Sequence, residues 1–459
     1  MSARILRIEL RRSIAPWAGL AILLVAAGFT YFFSGPWWKG SAAWNLQWTS
    51  VTVWLRYLLV FLWPLSVGAG ALQGLRDHRS GMSELVSTTP RPAWQRAGTT
   101  ALALVLMQFA GYLVFFVGGA MQVMGNASYA HLGWLPILFV GLLALVAGGW
   151  LGMGLGRSLP FALTPPVLAV LSLVGMIFLS LATASGSAVE TLLPGRAVLL
   201  SPVLPQPRDA FSTIAGSVSL GQAVWLIGVA ATGFLLLMAG SVRARALALV
   251  PVALGAAIAL PVLPAENADT FVFDAGASAQ VCSGQICVRK VHETRLGMLT
   301  GPGQEALRLL AKLPGAPTSV RETLYPQLLH GIQPRTADVV SVDFDDWRFR
   351  GATGEVLTRS LLAGAGTPSC FGTSDGRNDR DDALRDQAAR SVAAGWLLGD
   401  RELELVKHYS LDRPMIDALA QPVWKALRAL PPEEQQARIA ALRAASLSCH
   451  GDLLAVLAR

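Results

Sequence analysis

Charge is what this chain has least of: 14% of its 459 residues are Asp, Glu, Lys or Arg, where a soluble protein carries about 25%. With 53% hydrophobic residues, that deficit excludes an ordinary soluble enzyme and points to a membrane protein. Cysteine is also scarce. Only Cys282, Cys287, Cys370 and Cys449 occur, all beyond the last long apolar stretch. No Gly-x-x-x-x-Gly-Lys-Ser/Thr run exists, so the chain lacks the loop that cradles nucleotide phosphates. His292-Glu293-Thr294-Arg295-Leu296 begins a zinc-protease pattern but has leucine where the second histidine ligand must stand, which argues against metalloprotease chemistry.

What charge there is lies unevenly. Residues 1–264 hold 15 Lys/Arg against 5 Asp/Glu, a balance of +10, and residues 265–459 hold 22 against 24, a balance of −2. The basic excess therefore belongs to the apolar half, where it reports membrane topology and contact with anionic lipid rather than nucleic acid. Seven stretches approach the roughly 20 residues needed to cross a bilayer: 16–33, 51–71, 100–122, 134–154, 161–184, 220–239 and 246–263. The seventh carries Pro251 and Pro261, which are tolerated in lipid where neighbouring helices satisfy the freed carbonyls.

Arginines recur at alternate gaps: Arg4, Arg7, Arg11 and Arg12; then Arg76, Arg79, Arg91 and Arg96; then Arg157; then Arg243 and Arg245. The opposite gaps offer Lys39, Arg196 and Arg208. By the positive-inside rule the N-terminus is cytoplasmic and residues 265–459 are extracytoplasmic, the side on which cysteines can pair. Residues 1–14 mix arginines with Ile5, Leu6, Ile8 and Leu10, the pattern of an interfacial amphipathic helix. Trp37, Trp38, Trp44 and Trp48 suit an outer aromatic belt.

Between the second and third stretches runs Arg79-Ser80-Gly81-Met82-Ser83-Glu84-Leu85-Val86-Ser87-Thr88-Thr89-Pro90-Arg91. Gly81 can open a short helix, Glu84 suits its positive end and Pro90 stops it. This order, Arg79-x-Gly81-x-x-Glu84-Leu85 with Thr89-Pro90 following, resembles the corresponding stretch of type-2 ABC exporter permeases (ABC-2). The resemblance covers residues 1–245. It implies an interfacial helix at 1–14, a six-span bundle over 15–245, a coupling helix at Arg79, Gly81, Glu84, Leu85, Thr89 and Pro90, and an outer re-entrant hairpin at 185–216. It further implies a homodimer or a paralogous permease partner, and a separate cytoplasmic ABC ATPase that binds ATP and magnesium, the chain itself needing no cofactor. The seventh span, 246–264, and the tail, 265–459, depart from the family pattern.

Two features of the spans stand out. Arg56 is the one charge placed inside a span, a functional candidate for contact with substrate or lipid, although at about 10 Å depth it could snorkel to the interface. Gly148, Gly149, Gly152, Gly154 and Gly156 read as close helix packing through small residues. The spans hold no carboxylate or histidine for a proton relay.

The tail reads as α+β: strands at 270–273 and 286–288, then helices at 380–398, 414–430 and 432–445. Cys282 and Cys287 flank Ser283-Gly284 and suit a hairpin closed locally, which leaves Cys370 with Cys449; four cysteines permit three connectivities. Closing the larger loop contributes about 4 kcal/mol in the chain-entropy model. The fold class expected is thus a helical polytopic membrane protein followed by an α+β extracytoplasmic domain, in a bacterial plasma membrane. The function expected is an exporter permease without enzymatic activity of its own. The competing readings are a membrane-anchored sensor or scaffold and a membrane-tethered, degenerate peptidase-like protein.

Overall fold

The computed structural model describes residues 8–10, 13–34, 44, 47–79, 92–182, 193–207, 209–324, 335–344, 349, 351–370, 380–408 and 411–458. Two compact units divide the chain, Met1–Asp274 and Ala275–Arg459. The boundary lies about ten residues beyond the one expected from hydropathy, because the chain after the seventh helix pairs back onto the first unit.

The first unit holds α1 (Ala15–Phe29, continued by a π-turn Thr30–Ser34), α2 (Trp48–Arg79), α3 (Ala93–Asn126), α4 (Trp134–Ser158), α5 (Thr164–Ala182) and α6 (Gly216–Met238). A short helix Val242–Leu247 then leads into α7 (Val250–Val262). These provide seven helical stretches long and apolar enough to cross a membrane, so the chain is a polytopic membrane protein in build. Helices α2 and α3 run beyond the apolar stretches seen in sequence, because hydropathy marks only the part that lipid would cover while the hydrogen-bonded helix continues into polar residues. Helix α4 packs between α2 and α6, α3 packs on α1, and α7 on α6.

Glycine makes that packing possible. A Cβ at Gly70 of α2 would overlap the Gly149 carbonyl of α4, and one at Gly156 of α4 would overlap the Ala71 carbonyl. Gly154 meets Gly233 of α6 in the same way. Backbones so close gain dispersion contacts that replace the hydrophobic drive missing in lipid.

Tertiary contacts sort the connections into two ends. At one end Glu9 pairs with Arg76 at 2.6 Å, and Arg245 donates to the Ser158 carbonyl. At the other, Trp44 donates to Gln122, Thr49 meets His131 at 3.0 Å, and Tyr129 donates to Asp274 at 3.0 Å. Strand β1 (Ser212–Ile214), just before α6, pairs antiparallel with β2 (Phe271–Phe273), just after α7. That pairing closes the open end of the α6–α7 hairpin, so the seventh helix returns to the end from which α6 departs.

The second unit is built on a sheet of order β3 (Gln280–Ser283), β4 (Ile286–Arg289), β5 (Ser319–Glu322) and β6 (Val339–Val342). The β3–β4 hairpin is antiparallel and the other pairs are parallel. A parallel pair needs a crossover, which α8 (Leu296–Leu310) provides between β4 and β5. Helices α9 (Gly354–Leu362), α10 (Arg380–Leu398), α11 (Arg413–Arg428), α12 (Pro432–Ser448) and α13 (Leu453–Ala458) follow. Leu310, Val320, Val340, Leu362, Val392, Leu427 and Leu442 share one buried core. The three helices read from sequence in this region coincide with α10, α11 and α12 to within a few residues.

Candidate functional site

Polar side chains are rare in the bundle, so those buried there locate its special places. Arg56, on the third turn of α2, has no exposed surface. Its Nε and Nη2 donate to the Pro202 carbonyl at 2.8 and 2.6 Å. Nη2 also donates to Gln222 Oε1 of α6 at 2.7 Å, and Nη1 reaches the Ile137 carbonyl of α4 at 3.4 Å. Gln222 Nε2 in turn donates to the carbonyls of Leu199 and Ser201 at 2.9 and 2.7 Å. Snorkelling to the interface is therefore not what this side chain does; it turns inward because the irregular segment 199–203 supplies acceptors there.

Physical necessity explains the arrangement. Non-helical backbone at membrane depth is tolerated only where its carbonyls are satisfied by protein, and a guanidinium offers five donors in one plane. No carboxylate takes part in any of these bonds.

Tyr112 of α3 stands beside the guanidinium. It is 1% exposed, and its hydroxyl has no hydrogen-bond partner among the described residues. Gly141 of α4 opens the space both need, since a Cβ there would overlap the Tyr112 hydroxyl and lie 3.2 Å from Arg56 Cδ. One helical turn away on α3, Gln108 meets Ser66 of α2 at 3.2 Å, and Ser66 also reaches the Leu145 carbonyl at 2.9 Å. Gln108 Nε2 has no partner among the described residues. Gly148 and Gly149 leave room for this second node. A polar seam thus runs through the interface of α2, α3, α4 and α6.

No protein-family model, curated protein or solved structure matches this chain.

Of the predicted coupling residues, Arg79 ends α2, while Gly81, Glu84, Leu85, Thr89 and Pro90 lie outside the described residues. The approach to them is described. Glu9, in the helical residues 8–10, pairs with Arg76 on α2 and lies 3.4 Å from Gln73. Trp37 and Trp38 lie outside the described residues. Trp44, expected in an interfacial belt, is 4% exposed and packs on Phe115, its indole N–H being satisfied by Gln122 rather than by water.

On the side of the bundle, an apolar crevice of about 360 Å³ opens between α1, α2 and α5, lined among others by Trp17, Pro64, Gly68, Leu72 and Pro165. The two helices flanking it are among the least covered: 28% of the α1 span and 11% of the α5 span are buried.

In the second unit the cysteines pair as the spacing suggested, Cys282 with Cys287 and Cys370 with Cys449, with Cα atoms 4.1 and 5.5 Å apart. Paired sulfurs are not available to zinc. Among the described residues no group of His, Cys, Asp and Glu gathers in a metal-holding arrangement. His292 is buried, with Nδ1 2.5 Å from Glu322 Oε1, and Glu293 pairs with Lys290 on a 3-10 turn. The geometry is that of a core pair and not of a metalloprotease helix.

Sequence reasoning missed three arginines, the buried Arg390 and Arg443 and the half-buried Arg335, that organise the loop before Cys370. Gly364, Ala365 and Gly366 all have positive φ, a strained state for alanine. Arg390 donates to the Thr367 carbonyl at 2.6 Å, Arg443 to Ala365 at 2.5 Å, and Arg335 to Ser369 at 2.5 Å. Burial lowers the Arg443 pKa. Also missed was Gly372-Thr373-Ser374-Asp375-Gly376, which has the spacing of a serine-nucleophile elbow. It lies outside the described residues. An elbow needs a strand before its serine, whereas the preceding element is helix α9.

Proposed function

We propose that this chain is the transmembrane subunit of an ATP-driven exporter, working with a separate ATPase and with a second copy or a paralogue. In this reading the protein lies in a bacterial plasma membrane. The end bearing Glu9, Arg76, Ser158 and Arg245 is cytoplasmic, and the second unit lies outside.

The observation that carries the reading is the Glu9–Arg76 pair. It ties the N-terminal segment to the last turns of α2, immediately before the loop at 81–90 that resembles a coupling helix. A push on that loop would reach α1 and α2 together. Segregation of arginine from cysteine supports the proposed orientation. The apolar crevice and the apolar spans suit a hydrophobic or amphiphilic cargo. A sensor reading draws on the second unit having a hydrophobic core of its own.

Co-purification from native membranes separates the two: an exporter subunit brings an ATPase with it, and a sensor does not. Replacing Arg79 or Glu84 by alanine is expected to abolish stimulation of that ATPase while membrane insertion is unchanged. Stimulation equal to the parent in both variants would sink the coupling assignment.

A further inference from the structure

Among the described residues, the segment 199–203 is held unlike any other irregular stretch of the first unit. Its Leu199, Ser201 and Pro202 carbonyls are all bound by two side chains, Arg56 from α2 and Gln222 from α6, which also bond each other. Leu199, Ser201, Val203 and Leu204 are each buried, none more than 6% exposed. The segment therefore forms a plug over the polar seam, near the end where β1 and β2 pair. Beside it the Tyr112 hydroxyl is buried and without a partner among the described residues, an arrangement that costs free energy in the observed state.

We propose that Arg56 and Gln222 are the latch of an exit gate, and that Tyr112 is the alternative acceptor that receives the guanidinium when the gate opens. In the observed, closed state the guanidinium holds Pro202. On opening, the segment withdraws, the Pro202 carbonyl takes water, and the guanidinium turns to the Tyr112 oxygen, satisfying the group left unpaired before. Two states in which the same cation is always bonded can interconvert without ever stranding a charge in the bundle. Gly141 is what allows the exchange, since a side chain there would fill the space that both Arg56 and Tyr112 occupy. The inference rests on the exporter reading for its purpose, because only a transporter needs an exit gate, but the latch is defined without an ATPase.

The test uses the full chain in lipid nanodiscs, with both faces open to reagent and no ATPase present. A reporter Leu204→Cys, fully buried in the closed state, is labelled with a water-soluble maleimide; the four native cysteines are paired and silent. Arg56→Gln and Gln222→Leu should each raise the labelling rate about tenfold or more, the scale of losing charge-assisted hydrogen bonds. Tyr112→Phe should lower it about threefold or more by removing the acceptor of the open state. A second reporter, Leu145→Cys, deep in the bundle, should stay unlabelled throughout.

Unchanged labelling in Arg56→Gln, or in Tyr112→Phe, overturns the latch. So does labelling of Leu145→Cys as fast as Leu204→Cys, which would mean the bundle unfolds as a whole. If Arg56→Gln does not yield folded protein, Tyr112→Phe alone decides, since it removes a single oxygen that bonds nothing in the closed state. A chain that captures no ATPase ends the exporter reading and leaves this measurement intact.

Discussion

Single residues in this protein act through the neutral groups around them as much as through charge partners. Arg56 binds only carbonyl and amide oxygens, and Arg390 and Arg443 likewise gather carbonyls from a loop of unfavourable φ. Asp452 is the contrasting case. Partial burial pushes its carboxyl up, but Arg385 and the Ala455 and Leu454 amides outweigh that and hold it below the ordinary range. A depressed folded pKa means the stabilisation is present above the unfolded value and is lost as pH falls through the folded one. Asp452→Asn keeps an oxygen for the α13 amides while removing the ion pair. The variant should exchange amides over residues 453–458 about two- to fivefold faster than the parent near pH 6, the scale of an exposed pair. As pH falls below the ordinary carboxylate range the two should approach each other, since the unfolded parent then takes up a proton that the folded carboxylate resists, and the advantage of the charge is progressively lost. A difference that grew on acidification would show that Asp452 acts through something other than its charge.

At the scale of elements, stability in the bundle depends on which glycines face backbone. A Cβ at Gly70 would overlap the Gly149 carbonyl, whereas one at Gly118 of α3 meets nothing within 4 Å. Gly70→Val should therefore force α2 from α4, costing about 1–3 kcal/mol or more. The expected result is loss of the monodisperse peak on detergent size exclusion. Gly118→Val should run as the parent does, and equal behaviour of the two variants would refute the packing argument. The glycines of α4 announced close packing in the sequence, because five fall within nine residues of an apolar stretch. Their partners were not legible, since Gly70 of α2 and Gly233 of α6 lie far from α4 along the chain and meet it only in space. The destination of Arg56 was hidden for the same reason: its acceptors lie 81, 146 and 166 residues away. By contrast α10, α11 and α12 were readable locally, from a run of acidic residues at the start of one and prolines at the starts of the others.

For the whole molecule, the two ends of the first unit are fixed relative to each other by contacts, independently of any charge rule. Strands β1 and β2 pair across the open end of the α6–α7 hairpin, and Tyr129 joins the α3–α4 connection to Asp274 at the same end. Glu9, Arg76, Ser158 and Arg245 gather at the other. The seventh segment carries Pro251 and Pro261, and these pairings give it a defined return path. What is left to measure is which end faces the cytoplasm. An enzyme reporter active only outside the membrane, fused after Ala265, should be active under the proposed orientation, and the same reporter placed after Gly240 should be silent. The cysteines offer a check that no fusion can distort. If residues beyond 274 lie outside, alkylation of the unreduced, denatured chain should find no free thiol, because both pairs, 5 and 79 residues apart, would have closed on the oxidising side. An inactive reporter after Ala265 together with four alkylated cysteines would place Glu9 and Arg76 outside, where no ATPase could reach the loop they brace, and the exporter proposal would fall with the orientation.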